Sequence, residues 1–590
     1  MAILSRISAG MRNALGIFYP LTFSLSYLKG RYTIVAAVII AGVVSAVSRL
    51  LIPVFIGDAV TDIEKLSYSS VMSVAVLIIL VSAVTGAFQF VVSYGSQYIS
   101  QKFEFNLRND VFGHLIRKNF SFYEGQTSGD LLSRNTMDIH AVRNFLNNLF
   151  SQMLPTIFLI VFALYFLFSI NPYFAAIFLV AVPLLIFTGM IFQRKQRTRW
   201  RRIRTYYGLM NERLQENIVG NRVVRGFSAE DLEIQRFSDT TESYYDEYME
   251  VARLRGFYNN VMPLIVSAAA TAVLIYGGYS DIISLSSVGP LVAAVNIFSM
   301  MSSPVSSFGR LIVFSENARA GIERVSALLN PSMEEDVGSG VFTRLGGNLT
   351  IRDVSFSRNG RKVLKRISME VHSGEFTAIT GKTGVGKTTL VSLIPRFYDP
   401  DEGDILIGTA DIRKIPLTAL RKYVSWVPQE INLLSGTIRD NIIFQREGIS
   451  AEDMRRAARI AEIDEFVQSL PDGYDTQVGE RGITLSGGQK QRVALARSIA
   501  GFPGIIVMDD ATSSVDPETE LRIFNNIRRE MRDATIILVT HRPSALKYAD
   551  SVWKLENGEI FPVQDISLDL QGITDGFRMD FYGVNSGKNV

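Results

Sequence analysis

The chain has 590 residues, 47% hydrophobic and 20% charged, with 60 Lys and Arg against 57 Asp and Glu and a formal net charge of +3. So small a charge, without a basic and aromatic constellation, does not support nucleic acid as a partner. The absence of Cys excludes disulfides, thiolate metal sites and a Cys nucleophile, and His114, His140, His372 and His541 do not cluster at metal-ligand spacing. The charged fraction lies below the roughly 25% of soluble domains, and the deficit falls mostly before about residue 330.

The first 31 residues are interrupted by Arg6, Arg12, Lys29 and Arg31 and do not read as a secretory signal. Residues 4–28 alternate polar and apolar, as either an amphipathic helix lying in the membrane surface or a simple polar leader. A membrane span needs about 20 mostly apolar residues. Tyr32–Ser48 carries no charge, and apolar residues continue past Arg49 to Gly57. Leu66–Gln101 is uncharged, as is Asn144–Gln193, a run long enough for two helices with a turn at Asn171-Pro172. Gly256–Ser280 and Ile282–Gly309 complete a count of about six.

Cations follow the second span (Lys102, Arg108, Arg117, Lys118), the fourth (Arg194 to Arg204) and the sixth (Arg310, Arg319, Arg324). By the excess of cations on the inner side, the even spans end in the cytoplasm. Residues 102–143 and 194–255 are polar, periodic and rich in helix formers. They are expected to carry helices beyond the bilayer as a stalk whose tips contact a cytoplasmic domain. Arg49 is the one charge deep in an expected span, which argues against an ion-coupled secondary transporter.

After Asn330-Pro331 and a Glu- and Gly-containing stretch, short Val- and Ile-rich runs alternate with helical ones, the pattern of an α/β domain. Gly381, Lys382, Thr383, Gly384, Val385, Gly386, Lys387 and Thr388 match G-x-x-x-x-G-K-[ST], between an apolar strand ending at Ile379 and a helix opening at Thr389. In that setting backbone N–H groups cradle phosphate at a helix N-terminus. Lys387 would reach the β- and γ-phosphates, and Thr388 would bind Mg²⁺. A second strand, Gly504–Met508, ends in Asp509-Asp510, where one carboxylate can hold Mg²⁺ through water and the next can orient the attacking water.

Between these lie Leu485, Ser486, Gly487, Gly488 and Gln489, and with them the chain resembles the ATP-binding cassette transporters of the exporter type. Val427-Pro428-Gln429 resembles the family's glutamine loop, Gly479-Glu480-Arg481-Gly482 the loop that touches a partner's stalk, Ser513–Asp516 the aspartate loop, and Thr540-His541-Arg542 the switch histidine. Phe122-Tyr123-Glu124 with Gly129-Asp130-Leu131 and Ser133-Arg134, and later Gly220–Phe227, resemble the family's two cytoplasmic loops.

The resemblance, over roughly residues 25 to 560, implies a six-helix transmembrane domain at 31–330, a linker at 331–345 and an α/β P-loop ATP-binding domain at 346–562, with an amphipathic segment expected at 1–30 and a tail at 563–590 of unknown role. It implies ATP held between the phosphate loop of one chain and Leu485–Gln489 of another. Asp509, Thr388 and Gln429 would serve Mg²⁺, with Asp510, His541 and Gln429 catalytic and Glu480, Arg481 and Asp516 coupling the domains. The protein would be a multi-pass cell-membrane exporter with its ATP-binding domain in the cytoplasm.

Two residues depart from the family pattern. The base after the metal-binding Asp is usually Glu, and Asp510 is shorter by one methylene, about 1.5 Å. A displacement of that order costs about 10²-fold in rate, unless the backbone restores the geometry. The residue expected to stack on adenine is Arg358 rather than an aromatic; a guanidinium plane can still stack. An intact signature with a weakened base resembles one member of a heterodimeric exporter whose partner chain carries the catalytic Glu. Alternatives are an ATP-gated channel or regulatory membrane protein, and a homodimeric lipid flippase. Phe158, Phe162, Tyr165, Phe166, Phe187, Met190, Phe298, Met300 and Met301 could line a cavity for hydrophobic drugs, lipids or peptides, or face lipid and pack helices.

Overall fold

The computed structural model describes residues 19–284, 288–306, 308–329, 336, 345–358, 360–479 and 485–563. The chain divides into two compact units, Met1–Arg117 with Gln126–Pro331, and Lys118–Gly125 with Ser332–Val590.

The first unit is helical. The helix Tyr19–Ser26 buries Tyr19 and Phe23, and residues 1–18 of the expected amphipathic segment lie outside the described residues. Among the described residues, five helices are long and apolar enough to cross a membrane: Tyr32–Glu64, Ser69–Ile116, Ser128–Ile170, Pro172–Val219 and Glu230–Tyr279. The sixth expected span is shorter, apolar over Gly289–Met301, within a helix Gly289–Ser306 that is followed by another, Phe308–Leu329. The Asn171-Pro172 turn is built as its chemistry dictates. The Asn171 side chain accepts a hydrogen bond from the Tyr173 N–H at 2.9 Å, and Pro172 opens the next helix.

The stalk follows from length. Tyr68–Ile116, Pro172–Val219 and Glu230–Ser284 have 49, 48 and 55 residues, or about 72–83 Å of helix, against a bilayer core of about 30 Å. Beyond the apolar stretch, two of these helices are tied by charge: Glu247 accepts from Arg199 at 3.1 Å and from Arg202 at 3.0 Å. Of the aromatic and Met residues singled out in the spans, Phe298 and Met301 are each 2% exposed in the helical core, Phe298 packing edge-on to Phe178 at 5.5 Å. Tyr165 and Phe187 are exposed. An apolar cavity of about 640 Å³ opens between Ala176–Leu184 and Leu264–Ala269.

The second unit is α/β. In chain order its strands are β1 Leu349–Arg358, β2 Arg361–Val371, β3 Phe376–Thr380, β4 Glu402–Ile407, β5 Ala410–Asp411, β6 Val424–Val427, β7 Gly436–Thr437, β8 Gln477–Val478, β9 Ile505–Asp509, β10 Thr535–Val539, β11 Ser551–Glu556 and β12 Glu559–Pro562. An antiparallel sheet runs β2-β1-β4-β5, and a six-stranded sheet runs β12-β11-β3-β10-β9-β6. In the latter, β11, β3, β10, β9 and β6 are parallel neighbours. Every residue of β3, β9 and β10 is buried, as strands covered on both faces by helices require. Because the central strands are parallel, their carboxyl ends lie together, and in such sheets ligands bind outside those ends.

Candidate functional site

Four of the motifs read from the sequence leave the carboxyl ends of neighbouring strands. The phosphate loop follows β3, Gln429 follows β6, Asp509 and Asp510 close β9, and His541 follows β10. The register aligns them: Val539 pairs with both Ile379 and Asp509, and Val427 with Met508. The Asp510 N–H donates to Val539 O at 3.0 Å and the Thr540 N–H to Ile379 O at 3.2 Å. Residues up to 161 positions apart in sequence are thereby held within one strand spacing of each other.

The phosphate loop depends on backbone that only glycine adopts readily. Gly386 has φ 111 at the N-cap of the helix Lys387–Ser392, and a Cβ there would come within 2.7 Å of Val363 Cγ1. Gly381 has φ 147 and backs onto Leu555 O. Lys387, 6% exposed, donates through Nζ to Gly381 O at 2.8 Å and Lys382 O at 2.9 Å. The ammonium thus spans the loop that would surround a phosphate. Burial lowers its pKa, and the attraction of Asp509 and Asp510 opposes that shift. Thr383 and Thr388 are exposed, whereas Thr389 is buried.

Asp509 is 2% exposed. Burial raises its carboxyl pKa, while the hydrogen bond from Thr388 and the charge of Lys387 lower it and the charge of Asp510 raises it. A hydroxyl and a carboxylate joined in this way are the hard oxygen donors that suit Mg²⁺ beside phosphate. Gln429, exposed two residues beyond β6, stands at the same end of the sheet. The bound ion would neutralise phosphate charge. The His541 pKa is lowered, first by burial and then by Lys387, against the pull of Asp510. The imidazole is therefore neutral at pH 7. Asp510 itself sits at φ 49, left-handed backbone that Asp tolerates better than most residues.

The signature forms a helix start. Ser486 caps the helix Gly487–Ile499 in a reciprocal box with Gln489: the Ser486 N–H donates to Gln489 Oε1 at 2.9 Å, and the Gln489 N–H to Ser486 Oγ at 3.3 Å. Leu485 is buried beneath it. Ser486 Oγ accepts within the box and keeps its own proton to donate. The helix then grips the aspartate loop. Gln491 Nε2 donates to Ser513 Oγ at 2.8 Å, and Gln491 Oε1 accepts the Ser514 N–H at 2.7 Å. Arg542, next to His541, donates to Val515 O at 3.0 Å and also to Ser513 O. Asp516 caps the helix Pro517–Glu530 by accepting the Thr519 N–H at 2.9 Å. Glu480 and Arg481 lie outside the described residues.

Lys118–Gly125 belongs to this unit although its chain neighbours on both sides belong to the other. Phe120 meets Phe397 at 4.4 Å between ring centroids, and Phe397 meets Trp426, three residues before Gln429, at 5.5 Å. Arg358 is not a free-standing adenine platform. Its Nη2 lies 3.0 Å from Glu124 Oε1, and its guanidinium faces the Tyr398 ring at 6.0 Å. Sequence reasoning missed Tyr398, Gln491 and the pairing of Glu124 with Arg358. The motif containing Glu124 was visible, but its partners are 234 and 274 positions away.

Helical spans joined to a nucleotide-binding α/β domain of this geometry define a membrane-embedded transport ATPase. Residues 35–305 match the ABC transporter transmembrane region, and residues 364–513 match the ABC transporter family. The chain is 31% identical to an ATP-dependent lipid A-core flippase of Syntrophus aciditrophicus, over 82% of this chain and 81% of that protein. It is also 31% identical to the multidrug resistance ABC transporter ATP-binding/permease protein YheI of Bacillus subtilis, described as probable, over 90% of this chain and 91% of that one. A bacterial Atm1-family ABC exporter solved with ATP bound superimposes with a TM-score of 0.74 and 26% identity, over 95% of this chain and 100% of that one. The chain belongs to the ABC transporters, as an exporter with fused transmembrane and ATP-binding domains. Its ATP-binding domain binds ATP, and hydrolysis is coupled to transport.

Proposed function

We propose that this chain is the weakly hydrolysing half of a heterodimeric exporter that moves an amphiphilic substrate (a drug, lipid or peptide) out of the cytoplasm. Its own phosphate loop would hold ATP and Mg²⁺ through Gly381–Thr389, Thr388, Gln429 and Asp509, with the ATP-binding domain on the cytoplasmic side of the cell membrane. Its Ser486 and the Gly487 and Gly488 amides would complete the partner's site, where a Glu does the hydrolysis. ATP between the two chains favours the closed pair; phosphate loss lets them part, and the stalk turns that two-state equilibrium into alternating access.

The observation carrying this reading is Asp510 itself. The residue at the end of β9, beside buried Asp509 and opposite His541, has a carboxylate one methylene short. A general base must lie within about 2.6–3.2 Å of the group it deprotonates. The stalk tip Gly220–Phe227 supports a partner chain, since Val223 and Phe227 are 62% and 82% exposed there. Relatives that flip lipid A-core or resist drugs favour an amphiphilic substrate. The first of these also supports a second reading, a homodimeric lipid flippase.

The test is to purify the chain alone and with candidate half-transporters. ATPase activity should be slow alone and fast with a partner carrying Glu at the equivalent place. Rapid hydrolysis by two identical copies, equal at both sites, would replace this reading with the homodimeric one.

A further inference from the structure

At the position where the family pattern expects an aromatic beside the base, this chain has Arg358, already held by two residues. Arg358 Nη2 and Glu124 Oε1 are 3.0 Å apart, and the Tyr398 hydroxyl donates to the same oxygen. Burial, then that bond to Glu124, pushes the Tyr398 phenol up to about 12, so it remains a donor at neutral pH. Tyr398 also packs on Phe356, two positions before Arg358 on β1, at 5.7 Å.

The cluster lies close to the phosphate loop. The β1–β2 hairpin closes at Arg358 opposite Arg361, and Val363, two residues further along β2, is the side chain that a Cβ on Gly386 would strike. Two strand residues span about 7 Å. A guanidinium bound to a carboxylate through its edge still has two flat faces, so one turned toward the Tyr398 ring leaves the other for a base to stack on.

We propose that Glu124 is a positioning residue for the nucleotide base. It fixes the Arg358 guanidinium through the ion pair, with Tyr398 bracing the same oxygen, as the platform on which a purine stacks. A free Arg would lose its rotamer freedom when nucleotide binds; one already paired has lost it beforehand. Glu124 belongs to the segment that joins the two halves of the membrane unit, so affinity for the base depends on that segment being seated. The proposal deepens the ATP-site reading above and rests on it.

The experiment is equilibrium binding of ATP and of inorganic tripolyphosphate, which has no base, to the full chain in its purified assembly. Glu124→Gln should weaken ATP about three- to tenfold and leave tripolyphosphate unchanged. In an Arg358→Tyr background, whose ring needs no counter-ion, the same Glu124→Gln change should leave ATP unchanged as well. Arg358→Lys, which keeps the charge but has no planar face, should weaken ATP alone and tests the platform without touching Glu124. Equal loss of both ligands, an equal loss of ATP in both backgrounds, or no loss at all would overturn the proposal. Lys387→Ala separates the two levels. If it spares both ligands, the phosphate-loop reading fails; if it abolishes both while Glu124→Gln changes nothing, only the role of Glu124 fails.

Discussion

Replacing Asp510 by Glu sets two effects against each other. The longer side chain carries the carboxylate outward by about 1.5 Å, a displacement comparable to those that change rates on the order of 10²-fold. The backbone opposes the change, because residue 510 sits at φ 49. Asp is enriched several-fold over ordinary residues in that region, a preference of roughly 0.5–1 kcal/mol that Glu would forgo. This strain is present in ground and transition states alike, so it lowers stability and leaves turnover untouched. Asp510→Glu should therefore raise hydrolysis at this chain's own phosphate loop about 10- to 100-fold, while lowering the melting temperature of the ATP-binding domain by about 1–4 °C. The assay is single-turnover phosphate release from the purified assembly with the partner's catalytic base neutralised, next to a melting curve. A folded variant with unchanged ATP affinity and no faster release would refute the reasoning, because the left-handed backbone would then already bring Asp510 within reach of the water.

Gly386→Ala should abolish measurable ATP binding, since the new Cβ meets Val363 Cγ1 at 2.7 Å and left-handed backbone costs an L-residue roughly 1–2 kcal/mol; fluorescent-nucleotide titration checks this. Phe120→Ala removes a ring 4.4 Å from Phe397 and 40% exposed, and should cost roughly 1–3 kcal/mol of segment docking. It should lose substrate-stimulated ATPase while keeping the basal rate, as vesicle transport and phosphate release together would show. His541 has a folded pKa below its ordinary 6.5, so the unfolded state binds the proton first. Its contribution to stability is complete above pH 6.5 and declines as pH falls below it. Melting curves from pH 8 to 5 should thus fall less steeply for His541→Gln than for the unmodified protein; parallel curves would show that burial of His541 does not bear on stability.

Much of the site was legible because its chemistry is local. Gly381–Thr388 must be consecutive for one loop to close around phosphate, and Ser486 and Gln489 must be three apart to cap a helix together. Asn171-Pro172 marked its turn because both residues act on their own backbone. The membrane half was legible from the lengths of charge-free runs, although the sixth span is a shorter apolar helix followed by a second one. Arg358 is where local reasoning fell short: its side chain could be assigned a stacking surface, but the carboxylate that holds it is 234 residues earlier. Gln491 and Arg542 were passed over for the same reason, their partners being carbonyls, amides and hydroxyls of the aspartate loop.

By itself the sequence determined that the chain crosses a membrane, binds a nucleotide phosphate and departs from its family at residues 358 and 510, because hydropathy, glycine spacing and side-chain length are properties of short stretches. Only the tertiary structure decided that Asp510 takes left-handed backbone and that Glu124 reaches Arg358. These depend on strands paired in register and on a segment of eight residues lodged apart from its chain neighbours, and no local pattern encodes such distances.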